Sequence, residues 1–151
     1  SSVSLSPCFF QLYIVLLFCS IGASAQNWHT NFAEAEAEAK KNDKPIVLVF
    51  SGSDWCAPCI KLDKDIWQSE EFKKYATGHY ILYKADFPRR KTNKLSDEKE
   101  KENKILAEKY NRKGYFPLVL VLNAEGKVLG ETGYKKVTPA AYISSLNSFL
   151  N

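Results

Sequence analysis

Three kinds of hydrophobic pattern divide the chain. From Phe9 to Ile21 it reads Phe-Phe-Gln-Leu-Tyr-Ile-Val-Leu-Leu-Phe-Cys-Ser-Ile, an almost unbroken apolar run, and Ser1–Ala25 hold no charged residue. Two shorter runs, Pro45–Phe50 (Pro-Ile-Val-Leu-Val-Phe) and Pro117–Leu122 (Pro-Leu-Val-Leu-Val-Leu), are rich in β-branched and bulky side chains. Their length and lack of polar alternation predict strands buried on both faces. Elsewhere the apolar residues are spaced for helices or alternate with polar ones.

Asn31 followed by Glu34 has the spacing of a capping box, and Ala33, Ala35, Ala37 and Ala39 favour a helix to Lys41. The Ala/Glu alternation has a strand's period, but both are poor strand formers. Asn42-Asp43 and Pro45 end this helix. Ser51-Gly52-Ser53 breaks the first buried strand, and a helix carrying Ile60, Leu62, Ile66 and Trp67 follows. Ser69 ahead of Glu70 and Glu71 predicts a second short helix to about Ala76, stopped by Thr77-Gly78. His79–Phe87 reads as a strand and Pro88–Asn93 as a basic loop. Ser96 caps a helix to about Tyr110, with Asp97 and Glu98 at its positive end. Asp97/Lys101 and Glu100/Lys104 are spaced to pair on its exposed face. Ala124-Glu125-Gly126 is a tight turn, and Lys127–Thr132 is the hairpin partner of Pro117–Leu122. Thr138 caps a last helix with Pro139 at its first position; Ala141, Tyr142, Ile143, Leu146, Phe149 and Leu150 are expected to face inward. The order helix, strand, helix, strand, helix, strand, strand, helix predicts an α/β domain. Its mixed central sheet should have about four to five strands, with helices on both faces.

Composition narrows the function. A length of 151 residues suits one domain. The net charge of +4 comes from 21 basic and 17 acidic residues, well interspersed, with no basic stripe interleaved with aromatics. No nucleic-acid partner is therefore expected. The apolar run followed by Ala23-Ser24-Ala25 reads as a secretory signal peptide, residues 1–25, cleaved before Gln26. A basic n-region and an initiating Met are expected upstream of Ser1. An uncleaved anchor is disfavoured because the run falls short of the roughly 20 apolar residues of a membrane span. Acylation at Cys19 is disfavoured because Phe18 stands where a small residue belongs. Cleavage leaves a domain of residues 26–151, periplasmic or secreted, with no stable membrane insertion.

Cleavage also changes the cysteine count. Of Cys8, Cys19, Cys56 and Cys59, only the last two remain, in an oxidising compartment where a disulfide persists. They lie where a buried strand hands over to a helix. Unpaired N–H groups and the positive end of the helix dipole stabilise a thiolate there and lower its pKa. Cys56 is expected to be the exposed attacking sulfur and Cys59, one turn on, the shielded resolving one. Pro58 suits the first turn. A zinc site lacks further ligands, since His29 and His79 have no metal-like spacing with the pair, and no metal or other cofactor is expected. Haem attachment would need His where Ile60 stands. A purely structural bridge over so short a loop would stabilise little.

Trp55-Cys56-Ala57-Pro58-Cys59 after an apolar strand resembles the thioredoxin superfamily. Lys109-Tyr110-Asn111 to Gly114-Tyr115-Phe116-Pro117 looks like the loop that carries that family's cis-proline. Asn123–Gly126 is similar to its hairpin turn, and Gly133 to its late glycine. Trp28, the Ala-rich helix, Lys44-Pro45 and Gly52-Ser53-Asp54-Trp55-Cys56 resemble its exported bacterial branch in particular. The resemblance covers nearly all of Gln26–Asn151. It implies a thioredoxin fold and a thiol–disulfide oxidoreductase working on protein thiols and disulfides with a redox partner protein; a monomer is expected. Cys56 and Cys59 would be catalytic. Trp55, Ala57, Pro58, Phe116 and Pro117 would form the substrate surface, with Pro117 cis. One position departs from the family: Phe50 stands where thioredoxins proper keep a buried acid, leaving the proton acceptor of Cys59 open. Asp54 reads as a solvated loop acid, and Lys61 and Lys64 as surface lysines. The competing readings are a non-catalytic thioredoxin-fold binding module with a structural disulfide, and a copper(I)-handling protein, for which no Met or neighbouring His speaks.

Overall fold

The computed structural model describes residues 28–151; the leader, its cleavage point, Cys8 and Cys19 lie outside them. Five strands form one mixed sheet in the order β1-β3-β2-β4-β5: β1 (Trp28–His29), β2 (Ile46–Ser51), β3 (Ile81–Asp86), β4 (Leu118–Leu122) and β5 (Val128–Thr132). β2 pairs parallel with β3 and antiparallel with β4, so the first apolar run is the central strand. Every residue of β2 and β4 is buried, as the unbroken apolar runs require. β1 escaped the sequence reading because two residues carry no period. It adds to the outer edge of β3, pairing Trp28 with Leu82 and His29 with Tyr83.

Helices α1 (Phe32–Asn42) and α4 (Asp97–Tyr110) supply the buried side chains of one face. Helices α2 (Ala57–Leu62), α3 (Glu70–His79) and α5 (Pro139–Ser148) lie with the other. The Asn31, Ser69, Ser96 and Thr138 side chains each accept from the backbone N–H three residues on, satisfying one free donor at each helix start. After α2 the helix widens into a π-helical turn, Asp63–Trp67, that buries Ile66 and Trp67.

Three local expectations change. α3 passes through Thr77-Gly78 to His79. The Thr77 hydroxyl donates to the Lys73 carbonyl, and the His79 ring stacks on Tyr75 at 4.0 Å between centroids. These side chains hold the final turn that propensity alone would end. In α5, Tyr142 and Leu146 are buried and Ile143 and Phe149 half-buried, but Ala141 and Leu150 face solvent. The ion pairs around the start of α4 are Lys94–Asp97 and Lys99–Glu102. Short i,i+3 reach and the pull of Tyr83 on Glu102 decide this, not the i,i+4 spacing. Among the described residues no helix is long and apolar enough to cross a membrane.

Candidate active site

β2 delivers the chain to the site. At its end, Cys56 has extended backbone and caps α2: its Sγ accepts from the Cys59 N–H at 3.3 Å. Cys59 lies one turn in, and its Sγ accepts from the Gly52 N–H at 3.5 Å. The two cysteines are joined as a disulfide, with Cα atoms 5.2 Å apart. Ala57 and Pro58 occupy the exposed first turn of α2, where the missing proline N–H costs nothing. Cys56, expected to be exposed, retains 5% exposure against 3% for Cys59. In the disulfide-bonded form each sulfur is covered.

Three aromatic rings border the pair. Trp55 meets Phe116 edge-on at 5.4 Å, and Phe116 meets Phe87 at 5.5 Å. The Trp55 indole N–H donates to the Phe87 carbonyl at 2.7 Å. The indole lies so close to the Gly52 backbone that a Cβ there would come within 2.3 Å of it. Only glycine admits this packing. The Phe116–Pro117 peptide is cis. No described hydrogen bond engages the Phe116 backbone, while Asn111 holds the preceding turn by bonding both the Tyr115 N–H and its carbonyl. Gly133 lies against the Pro117 carbonyl, where a Cβ would come within 3.3 Å.

The structure adds one set of contacts to the sequence reading of the charges. Asp54, read as a solvated acid, accepts from the Arg89 and Arg90 N–H groups at 2.9 Å each and from the Asn93 side-chain amide at 3.1 Å. These bonds, that of Arg89 foremost, hold its carboxyl below the usual range. Asp54 thereby pins the basic loop, which coils into a short 3-10 turn at Lys91–Asn93. The Arg89 guanidinium lies 3.7 Å over the Trp55 ring. Phe87 and Arg89 were not singled out by the sequence, because their contacts span more than thirty residues. Lys61 and Lys64 are exposed, as read. Phe50 is fully buried and stacks on Phe87 at 6.5 Å, so this strand position is apolar. A groove of about 470 Å³ opens beyond Phe87, lined also by Lys104, Ala107, Glu108, Asn111 and Arg112. Among the described residues no group of three or more His, Cys, Asp or Glu is arranged to hold a metal.

A dithiol–disulfide pair at the mouth of the central strand of such a sheet marks a thioredoxin-fold thiol–disulfide oxidoreductase. Residues 32–148 match the model of the thioredoxin-like domain, and the chain belongs to that family. Over 130 residues, 86% of this chain and 76% of the relative, it is 39% identical to the disulfide bond reductase DsbH of Chlamydia pneumoniae. It superposes on the solved DsbH oxidoreductase with a TM-score of 0.78, at 38% identity, covering 87% of this chain and 88% of that one. The C-terminal domain of Neisseria meningitidis DsbD in its reduced form, 22% identical, shares the fold, with a TM-score of 0.56 over 78% of this chain and 91% of that one.

Proposed function

We propose that this protein is an exported, monomeric reductase of protein disulfides, cleaved before Gln26 and working in the periplasm or beyond the cell. Cys56 is its nucleophile and Cys59 its resolving thiol. The observation that carries this reading is the position of Cys56: its sulfur caps the start of α2, where a backbone N–H points at it. A thiolate gains there what a thiol does not.

The chemistry moves two electrons. The Cys56 thiolate attacks one sulfur of a partner disulfide and expels the other as a thiolate, forming a mixed disulfide. Cys59, deprotonated, then attacks Cys56 Sγ. The second partner thiolate leaves, and the Cys56–Cys59 disulfide closes. A separate redox protein returns two electrons by the reverse exchange. Trp55, Ala57, Pro58, Phe116 and Pro117 form the surface on which the partner chain lies. The unpaired Phe116 backbone offers it a donor and an acceptor, as an added strand would need. The name of the DsbH relative supports the reducing direction.

Equilibration of the pair in dithiothreitol and glutathione buffers tests the reading. A potential near about −270 mV marks a reductant and one near about −120 mV an oxidant. A pair that stays oxidised through both buffers overturns the enzyme role. The low exposure of Cys56 is the one observation on the side of such a structural bridge, and the same titration decides it.

A further inference from the structure

The Pro88–Asn93 loop is fixed beside the disulfide by contacts the sheet does not require. Asp54, two residues before Cys56, takes both arginine N–H groups and the Asn93 amide. Arg89 is laid over Trp55, the neighbour of Cys56 in the chain. The side chains of Arg90 and Lys91 stand in solvent. None of the ion pairs among the described residues engages Arg89, Arg90 or Lys91, whereas Lys94, just past the loop, is paired with Asp97. Two carboxylates stand at the foot of this loop against its three cations: Asp54, which accepts from N–H groups of the loop and feels the charge of Arg90, and Asp86, which accepts from the Ser53 N–H and hydroxyl. The groove beyond Phe87 adds Lys104 and Arg112 against Glu108. The result is a net positive charge along one side of the surface formed by Trp55 and Phe116. Because the loop backbone is already ordered, a bound chain need not order it.

We propose that Arg89, Arg90 and Lys91 form a cationic lip that selects partner disulfides flanked by Asp and Glu. This rests on the reductase reading above. The lip acts on the encounter: complementary charge at the rim of an interface raises the association rate and makes it salt-dependent. It changes neither the bonds made nor those broken in the exchange.

The test uses synthetic peptides with the same internal disulfide and flanks of several Asp, several Ser or several Lys, reduced by the full domain with dithiothreitol as electron source. At low salt the acidic peptide is expected to exceed the basic one in kcat/KM by about tenfold. The ratio should fall towards unity as salt shortens the range of the field. Arg90→Glu combined with Lys91→Glu should invert the preference. This readout is a ratio between peptides on one preparation, so it is independent of how much of the variant is active. Equal reduction of all three peptides at low salt, or a preference untouched by the double charge reversal, overturns the cationic lip and leaves the reductase standing. Reduction of none of them overturns the reductase reading, and the lip with it.

Discussion

The two faces of the sheet are filled in opposite ways. On the face of α1 and α4 the strands supply the bulk: Ile46, Leu48 and Phe50 from β2, and Leu118, Leu120 and Leu122 from β4. Of the helices that cover them, α1 contributes Phe32 and the fully buried Ala35 and Ala39, and α4 contributes Leu106. On the other face β2 and β4 supply only Val47, Val49, Val119 and Val121, β3 adds Leu82, and most of the bulk comes from Trp67, Phe72, Tyr142 and Leu146. Where α1 lies over β2 and β4, large strand side chains meet alanines, and where the valines face the other way, large rings meet them. The polar content differs as well. The α1/α4 face encloses a network in which Glu102 accepts from the Tyr83 hydroxyl and the Phe32 N–H, with Asn103 and Lys99 beside it. On the opposite face the buried Tyr142 hydroxyl donates to the Gly133 carbonyl, the Tyr80 hydroxyl donates to Asn147, whose amide donates to Tyr75, and Lys84 pairs with Asp63. One face brings α1 close to the sheet through its alanines; the other depends on a few large rings.

This contrast sets the order of expected effects. Trp67 is 1% exposed and meets Trp28, Phe72 and Tyr142 edge-on. Trp67→Ala should cost about 4 kcal/mol, read from the urea midpoint; a loss below about 1 kcal/mol would mean that this face collapses around the gap. On the opposite face the sensitive change is enlargement. Ala35→Leu should cost about 2 kcal/mol, whereas the same substitution at exposed Ala33 should be near neutral in the same titration.

The half-buried charge of Glu102 gives a pH signature. Burial raises the Glu102 carboxyl, but hydrogen bonds from Tyr83 and the Phe32 N–H and the charge of Lys99 outweigh it, and the net direction is down. A carboxyl depressed in the folded state stabilises above its unfolded range and loses that contribution as pH falls through the folded value. Glu102→Gln should therefore be less stable than the parent by about 1 kcal/mol near neutrality, and the two should converge in acid. A gap that is constant with pH would show that Glu102 acts through shape alone. Smallest of all, Lys94→Ala removes an exposed pair with Asp97 and should shift stability by less than about 0.5 kcal/mol.

Much of this frame was legible before any coordinates. Pro45–Phe50 and Pro117–Leu122 could only be buried strands. Their large/small alternation, Leu against Val, also encodes the two faces. Caps at Asn31, Ser69, Ser96 and Thr138 are local chemistry and appear where the sequence puts them. What escaped is non-local. Trp28–His29 is a strand only because β3 has a free edge. Asp54 is a pin only because the chain returns beside it thirty-five residues later. Cys56 is covered in the disulfide form, whereas strand-to-helix placement alone predicted an open sulfur.

The last strand has a bearing on how the protein behaves in a crowd. β5 is an edge strand with Val128 and Leu129 exposed, an invitation for another chain to add itself. Its pairing with β4 is interrupted: Val121 faces Gly130 and Leu122 faces Val128, so Leu129 is surplus. Such a bulge bends the strand and increases its twist. Gly130 takes the Phe149 ring, which a Cβ would meet at 2.2 Å, and Glu131 adds a charge one residue on. A straight template for intermolecular pairing is thereby broken at the midpoint of β5.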